Sequence, residues 1–352
     1  MRVEYRTWDG DFKALHDLAA RSWREEYRAG SYPDLYDPAL LRMHLRSVEP
    51  RGLLIGAYRG TELLGFVANL PRLYLVGGRP YRGVLACLLT THPDFRREGF
   101  AKGLIEEALR RNKEYAFDFA LLYLERGHRS SHLFRGLAAE GHAIGRVKRM
   151  FAIGRILDLP RVVASEGFGP GRERLFRALR LDRIGATGRV PGVLRRYQDS
   201  DLPAAVDLVN AQAGRAEIGR VWTAEELGSR LAVKDLAHTV VYERAEGRLA
   251  GLINYTIVRH MGCAPTPWAW LDRVVADDLT MTERGALLKK FLHHAQEQGC
   301  AGVVEWNKGY YRVRSLWGER FFPYPRWIEL CAWTFNPDLR LEHLKRIAEE
   351  QR

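Results

Sequence analysis

Six residues, Arg96-Arg97-Glu98-Gly99-Phe100-Ala101, stand between an apolar run, Val84 to Leu89, and a helix-like run, Lys102 to Lys113. A strand that feeds a small-residue turn and then a helix leaves the first amide N–H groups of that helix without partners. Such groups bind anions. Gly99 lets the backbone come close to a phosphate, Ala101 keeps the next turn unobstructed, and Arg96, Arg97 and Lys102 add positive charge on the same side. The guest that fits is a pyrophosphate. Other reactive residue types are scattered. His128 and His132 have the spacing that puts two ligands on one helical face, and His293, His294 and Glu297 form a similar group. Neither group has a third and fourth ligand at matching spacing, so no metal site is expected. Cys87 lies within the apolar run and has no neighbouring base, which makes it a packing residue and not a nucleophile.

These residues need elements to hold them. From Val3 the chain reads as a strand, a helix over Asp11 to Arg28 with apolar positions at helical spacing, and a second helix near Pro38 to Val48. Two runs, Leu53 to Tyr58 and Glu62 to Leu75, are split by Arg59-Gly60-Thr61, the punctuation of a hairpin. A strand Val84 to Thr91, the glycine turn, a helix Ala101 to Tyr115, a strand Phe119 to Leu124, a helix near Ser131 to Glu140 and strands around Ala143 to Leu157 follow. After a Pro- and Gly-rich stretch from Leu159 to Gly192, holding a short basic helix near Glu173 to Leu181, the same element order begins again. It runs through strands at Leu194 to Tyr197, His238 to Ala245, Arg248 to Arg259, Ala269 to Val275, Gly302 to Trp306 and Trp327 to Thr334. Its helices are Leu202 to Ala213, Ala224 to Leu231, Thr282 to Gln298 and Arg312 to Arg320. No residue-level repeat accompanies this; the repeat is one of element order.

A chain of 352 residues is too long for one ordinary core and fits two domains. No apolar run approaches a membrane span, and Met1 to Arg6 lacks the apolar segment of a secretory signal, so a cytoplasmic protein is expected. Cys87, Cys263, Cys300 and Cys331 are widely spaced, without a Cys-x-x-Cys pair, which excludes a disulfide framework. Net charge is +12, and 46 of the 55 basic residues are arginine, so an anionic partner is favoured. Aromatic and basic residues interleave from Trp306 to Trp327. An amphipathic helix burying its aromatic face explains these letters better than a base-stacking surface does.

Arg96-x-x-Gly99-x-Ala101, preceded by Leu89-Thr90-Thr91-His92-Pro93-Asp94-Phe95, resembles the cofactor turn and lead-in of the GNAT acetyltransferase superfamily. Two such domains in one chain resemble its tandem-domain members. The resemblance implies an α/β protein of two tandem GNAT-like mixed-sheet domains with helices on both faces. The first domain would span 1–158 and hold the acyl-CoA site, followed by a linker over 159–192, a degenerate GNAT-like domain over 193–337 and a charged C-terminal helix over 338–352. It implies acetyl-CoA, or another acyl-CoA, as cofactor. The cofactor set is Leu89, Thr90 and Thr91 on the strand, Arg96, Arg97, Glu98, Gly99, Phe100, Ala101 and Lys102 in the turn, and Phe134. In the second half the matching stretch, Val275 to Arg284, carries Thr280 in place of the arginine and Glu283 in place of the glycine, with Asp277 and Asp278 nearby. Those carboxylates would repel a pyrophosphate.

Acyl transfer from a thioester to an amine needs a group that takes the amine's proton, donors for the carbonyl oxygen and an acid for the leaving thiolate. The resemblance places an Asn and a Tyr at positions occupied here by Gly127 and Phe134, so the catalytic pattern departs from the family's. Glu125 at the strand end and His132 near the start of the next helix are the candidate base and acid. The expected function is transfer of an acyl group, acetyl first, to a primary amine of a small molecule or peptide. Tyr27, Tyr32 and Tyr36 are candidate lining residues for the acceptor. The alternatives are a catalytically silent CoA-binding sensor and a transferase that engages aminoacyl-tRNA or RNA.

Overall fold

The computed structural model describes residues 3–27, 31–95, 98–311 and 313–349. The first half runs β1 (Glu4–Thr7), α1 (Phe12–Tyr27), β2 (Tyr32–Pro33), α2 (Pro38–Leu45), β3 (Leu54–Arg59), β4 (Glu62–Val76), β5 (Arg79–Thr91), α3 (Phe100–Glu114), β6 (Phe119–Glu125), α4 (Arg129–Ala139) and β7 (Ile144–Ile156). Two short helices, α5 (Leu159–Glu166) and α6 (Pro170–Ala178), connect the halves. The second half runs β8 (Val193–Arg196), α7 (Leu202–Arg215), β9 (Ile218–Val221), α8 (Ala224–Leu231), β10 (Ala237–Glu243), β11 (Leu249–Met261), β12 (Thr266–Val275), α9 (Met281–Glu297), β13 (Gly302–Trp306), α10 (Arg314–Gly318), β14 (Phe322–Thr334) and β15 (Ile347–Ala348). The element order expected from periodicity is present in both halves. The expected pair of strands near Ala143 to Leu157 is one long strand, β7.

The helices start where the sequence supplies caps. The Asp37 carboxylate accepts the amide of Ala39 ahead of Pro38, which sits in the first turn of α2. Thr280 and Glu283 cap α9 reciprocally. The start of α3 differs: its cap is Gly99, at φ +84°, which has no side chain to bond the first amides, and among the described residues none does so.

All strands join one mixed sheet, with the central order β1-β3-β4-β5-β6-β14-β7-β13-β12-β11-β10-β8. The order is not that of two separate domains laid side by side. β14, the last long strand of the second half, lies between β6 and β7 of the first, pairing Ile328 with Glu125 on one edge and Leu330 with Lys148 on the other. β7 in turn pairs with β13. Each half thus lends its final strand to the other, and the largest core cluster combines Leu15, Phe66, Leu121 and Phe134 with Trp306, Ile328 and Ile347.

Two expectations are corrected. Residues 338–349 form turns and β15, not an exposed helix. Leu339, Leu341, Ile347 and Glu349 are buried, and β15 pairs with β9, which pairs with β4. Spaced apolar residues in this charged segment are packing contacts with the sheet edge, which a helix would have pointed outward. The connector is also more ordered than a plain linker: Leu159 and Val162 are buried in the cluster around Trp268, and Phe168 and Phe176 pack against it.

Candidate active site

The site is set by a break in the sheet. β5 and β6 pair in parallel only from Gly83 opposite Phe119 to Ala86 opposite Leu122, and then part. β5 carries a bulge at the same point: Leu88 and Leu89 together face Val67 of β4, and Leu88 adopts φ +56°, a left-handed conformation that a branched side chain rarely takes. The bulge bends β5 away from β6 and leaves backbone groups at the gap without a ladder partner. β6 stays in place because β14 holds its other edge along its whole length.

A cavity with about 1520 Å3 of atom-free space, its mouth included, passes through this gap. On the α3 and α4 side its walls include Val67, Leu89, Ile105, Ala108, Leu109, Phe134 and Trp333, with Asn69 and Asn112 joined to each other by a 2.9 Å hydrogen bond. From Ile105 to Asn112 this wall follows about 10 Å of helix at 1.5 Å per residue. Under α1 and α2 the walls include Trp23, Tyr27, Tyr36, Leu40, Tyr123, Glu125 and, from the second half, Trp270, Trp306 and Arg326.

Glu125 is the acidic group of the cavity wall. Tyr27 donates its hydroxyl to Glu125 Oε2 at 3.0 Å, and Arg326 Nε donates to Oε1 at 2.7 Å. His128 Nε2 lies 3.5 Å from Glu125 Oε2, and its Nδ1 lies 3.7 Å from Glu26 Oε1. The His128 ring meets the edge of Tyr27, which stacks on Tyr32. Burial, reinforced by the Glu125 charge, drives the Tyr27 phenol upward, so it stays protonated and acts as a donor. Burial opposes the Arg326 charge, yet Glu125 and Tyr27 together hold its pKa above the ordinary value.

Of the residues singled out from sequence, Tyr27, Tyr36, Cys87, Leu89, Glu125, His128 and Phe134 line the cavity, whereas Tyr32 lies outside its wall and stacks on Tyr27. Thr90 is buried and pairs with Phe66, and Thr91 pairs with Gly65. Glu98 is exposed and lies 3.8 Å from Arg59; Gly99 caps α3; Phe100 is buried; Ala101 is half-buried; Lys102 is paired with Glu140 at 3.0 Å. Arg96 and Arg97 lie outside the described residues. The free amides of Phe100, Ala101 and Lys102 therefore form the open end of α3.

His132 is a correction: it is exposed on α4 and takes no part in the cavity wall. The histidine that reaches Glu125 is His128, one helical turn earlier, at the cap of α4. Its sequence signal was the i, i+4 pair with His132, which pointed to metal ligation; here the two rings part. Cys87 lines the cavity, and burial pushes its thiol up to about 12, which keeps it protonated. His293, His294 and Glu297 do not converge: they contact the Gly185 carbonyl, the Tyr255 hydroxyl and Arg196 respectively. In the aromatic stretch Trp306, Tyr311 and Phe321 are core residues, but Trp306 and Arg326 also reach the cavity.

The counterpart of the glycine turn in the second half is closed by its own side chains. Thr280 Oγ accepts the Glu283 amide at 3.3 Å, Glu283 accepts the Thr280 amide at 2.8 Å, and Asp277 and Asp278 are held by Gln212 and Arg215.

The mixed sheet parts between β5 and β6 in the first half, and the comparisons find the same fold in solved structures. Residues 5–124 match the acetyltransferase (GNAT) domain family. Saccharomyces cerevisiae N-myristoyltransferase with bound myristoyl-CoA shares the fold at 16% identity and a TM-score of 0.78, over 94% of this chain and 82% of that one. A GCN5-related N-acetyltransferase from Anabaena variabilis shares it at 13% identity and a TM-score of 0.57, over 94% and 72%. A protein of unknown function from Enterococcus faecalis, described as a probable N-acyltransferase, does so at 13% and 0.58, over 96% and 73%. No curated protein sequence matches the chain. The family match covers residues 5–124, and the fold of N-myristoyltransferase is shared along 94% of the chain.

Proposed function

We propose that the protein is an acyl-CoA-dependent N-acyltransferase whose cofactor site lies in the first half. The observation that carries this is the continuity of one cavity through the β5–β6 gap, walled by Ile105 to Asn112 of α3, the helix that opens at Gly99. The amides of Phe100, Ala101 and Lys102, with the dipole of α3, would hold the CoA pyrophosphate, with Glu98 and Gly99 completing the turn. Arg96 and Arg97 would supply charge. The pantetheine arm would follow Leu89, Thr90 and Thr91 into the gap, past Phe134. Unpaired backbone donors at the Leu88 bulge would face the thioester oxygen. The side-chain closure of the α9 turn supports a single cofactor site per chain.

In the proposed reaction a neutral amine attacks the thioester carbonyl carbon, the C–N bond forms and the C–S bond breaks. One proton leaves the nitrogen and one reaches the sulfur, so the products are an amide and free CoA. Glu125 and His128 are the proposed proton acceptors: an imidazole can take a proton on one ring nitrogen and release one from the other, here toward Glu26. Tyr27 and Arg326 are positioning residues for Glu125. The apolar wall along α3 favours an acyl group longer than the acetyl expected from the resemblance. A cytoplasmic setting is part of this reading.

The test is calorimetric titration with CoA, followed by transfer assays with a donor series from acetyl-CoA to longer acyl-CoAs against an amine panel. Binding with turnover supports the reading. Absence of heat at millimolar CoA overturns it, and tight binding without turnover on any amine favours the sensor.

A further inference from the structure

The arm of the cavity that runs between the sheet and α3 is apolar until it meets two carboxamides. Asn69 of β4 donates to Asn112 of α3 at 2.9 Å, and both line the cavity while being 0% and 3% exposed. The pair stands where the parting of the strands ends: Ala86, opposite Asn69 in the β4–β5 ladder, is the last residue of β5 that pairs with β6. Asn69 and Ala86 therefore share the face of the sheet that α3 covers. Ala86, Ala108 and Ala120 also line the cavity, and their short side chains leave room that larger residues would fill. One bond between two carboxamides uses one N–H and one oxygen. Whichever way the two amides are turned, one oxygen and N–H groups of both remain. Asn69 Oδ1 is buried and has no hydrogen-bond partner among the described residues, whereas buried polar groups are normally paired. The charged wall residues Glu125 and Arg326 are bound to each other under α1, so among the described residues the end at α3 is polar without being charged.

We propose that Asn69 and Asn112 select the acyl donor, and that they take a chain whose distal end carries a neutral hydroxyl. The inference rests on the N-acyltransferase reading, with the acyl chain following α3. A hydroxyl donates and accepts at once, so its O–H meets Asn69 Oδ1 and its oxygen meets an Asn112 N–H. A methyl terminus leaves the pair dry and unmatched, and a carboxylate terminus loses its hydration with no cation to replace it. The length follows from the strand. Val67 faces the Leu88 bulge, where the thioester oxygen is placed, and Asn69 is two residues further along β4, or about 7 Å at roughly 3.4 Å per residue. An extended chain of about six carbons spans that distance.

The test compares ω-hydroxybutanoyl-, ω-hydroxyhexanoyl- and ω-hydroxyoctanoyl-CoA with their methyl-ended isosteres, pentanoyl-, heptanoyl- and nonanoyl-CoA. Affinities are measured by calorimetry, without an acceptor amine, in wild type and in the Asn69→Leu/Asn112→Leu double variant, which leaves neither amide unpaired. Wild type is expected to prefer the hydroxyl by about tenfold or more, most strongly in the hexanoyl pair, and the double variant to prefer the methyl. A cooperative thermal transition reports that the variant is folded. A wild-type ratio that lies near one or favours the methyl at every length overturns the proposal without recourse to any variant, because the pair is then satisfied without the chain. A hydroxyl preference that survives the double substitution overturns it as well. Both results leave the CoA site standing, whereas failure of wild type to bind free CoA overturns the N-acyltransferase reading and the proposal with it.

Discussion

Replacing Gly99 with alanine separates the fold from the cofactor site. Gly99 has φ +84°, where a side chain costs about 1–2 kcal/mol. A Cβ there would meet nothing within 4 Å, so no packing loss is added. With an unfolding entropy of roughly 2.1 cal/mol/K per residue, that strain lowers Tm by about 1–3 °C. Ligand binding is expected to suffer more. The methyl would stand on the surface that meets the pyrophosphate, and loss of one charge-assisted hydrogen bond is worth about 1.5–3 kcal/mol, or roughly 10- to 150-fold in Kd. Titration with CoA and, in parallel, with pantetheine, which lacks the pyrophosphate, reads the two effects apart. CoA should weaken by that factor while pantetheine is unaffected. If Tm falls as expected and CoA binds as in wild type, the diphosphate does not lie against this turn.

Glu125→Gln should cut kcat by about a hundredfold or more at unchanged CoA affinity, and His128→Ala should do likewise, whereas His132→Ala should stay within about twofold of wild type; steady-state kinetics decide. Glu349→Ala leaves Arg72, its buried ion-pair partner, without this counterion and is expected to cost about 3–5 kcal/mol by denaturant unfolding. His260 and His294 are held neutral by burial, at about 3 and about 4 against an ordinary 6.5. The unfolded chain takes up their protons below pH 6.5 and the folded one does not, so stability present above that pH is lost as pH falls toward the folded values. The loss is about 2 kcal/mol per histidine between pH 6.5 and 5, and unfolding midpoints across that range check it. Residues 1–158 expressed alone should show no cooperative unfolding, since β6 and β7 both lack β14.

Local physics carried much of this protein into view. Strand and helix periodicity located nearly every element, because apolar spacing follows the faces that must be buried. The glycine turn was legible because a left-handed cap before a helix needs that residue type within a few positions. Glu125 was legible as the polar end of an apolar strand. What stayed hidden depends on residues far apart in sequence. No local pattern says that β14 inserts between β6 and β7, since the exchange is a choice of hydrogen-bonding partner and both strands are equally good at either edge. For that reason Arg326, 201 positions after Glu125 in the chain, could not be read as its partner. His128 and His132 have the same residue type, and only the parting of β5 from β6 decides which ring faces the cavity. The second half's share in the cavity wall, through Trp270 and Trp306, was written as an ordinary core pattern because a residue lining a cavity and one filling it bury the same surface. Sequence alone thus set the elements and the glycine turn, while the crossing of strands between halves decided which side chains meet at the cavity.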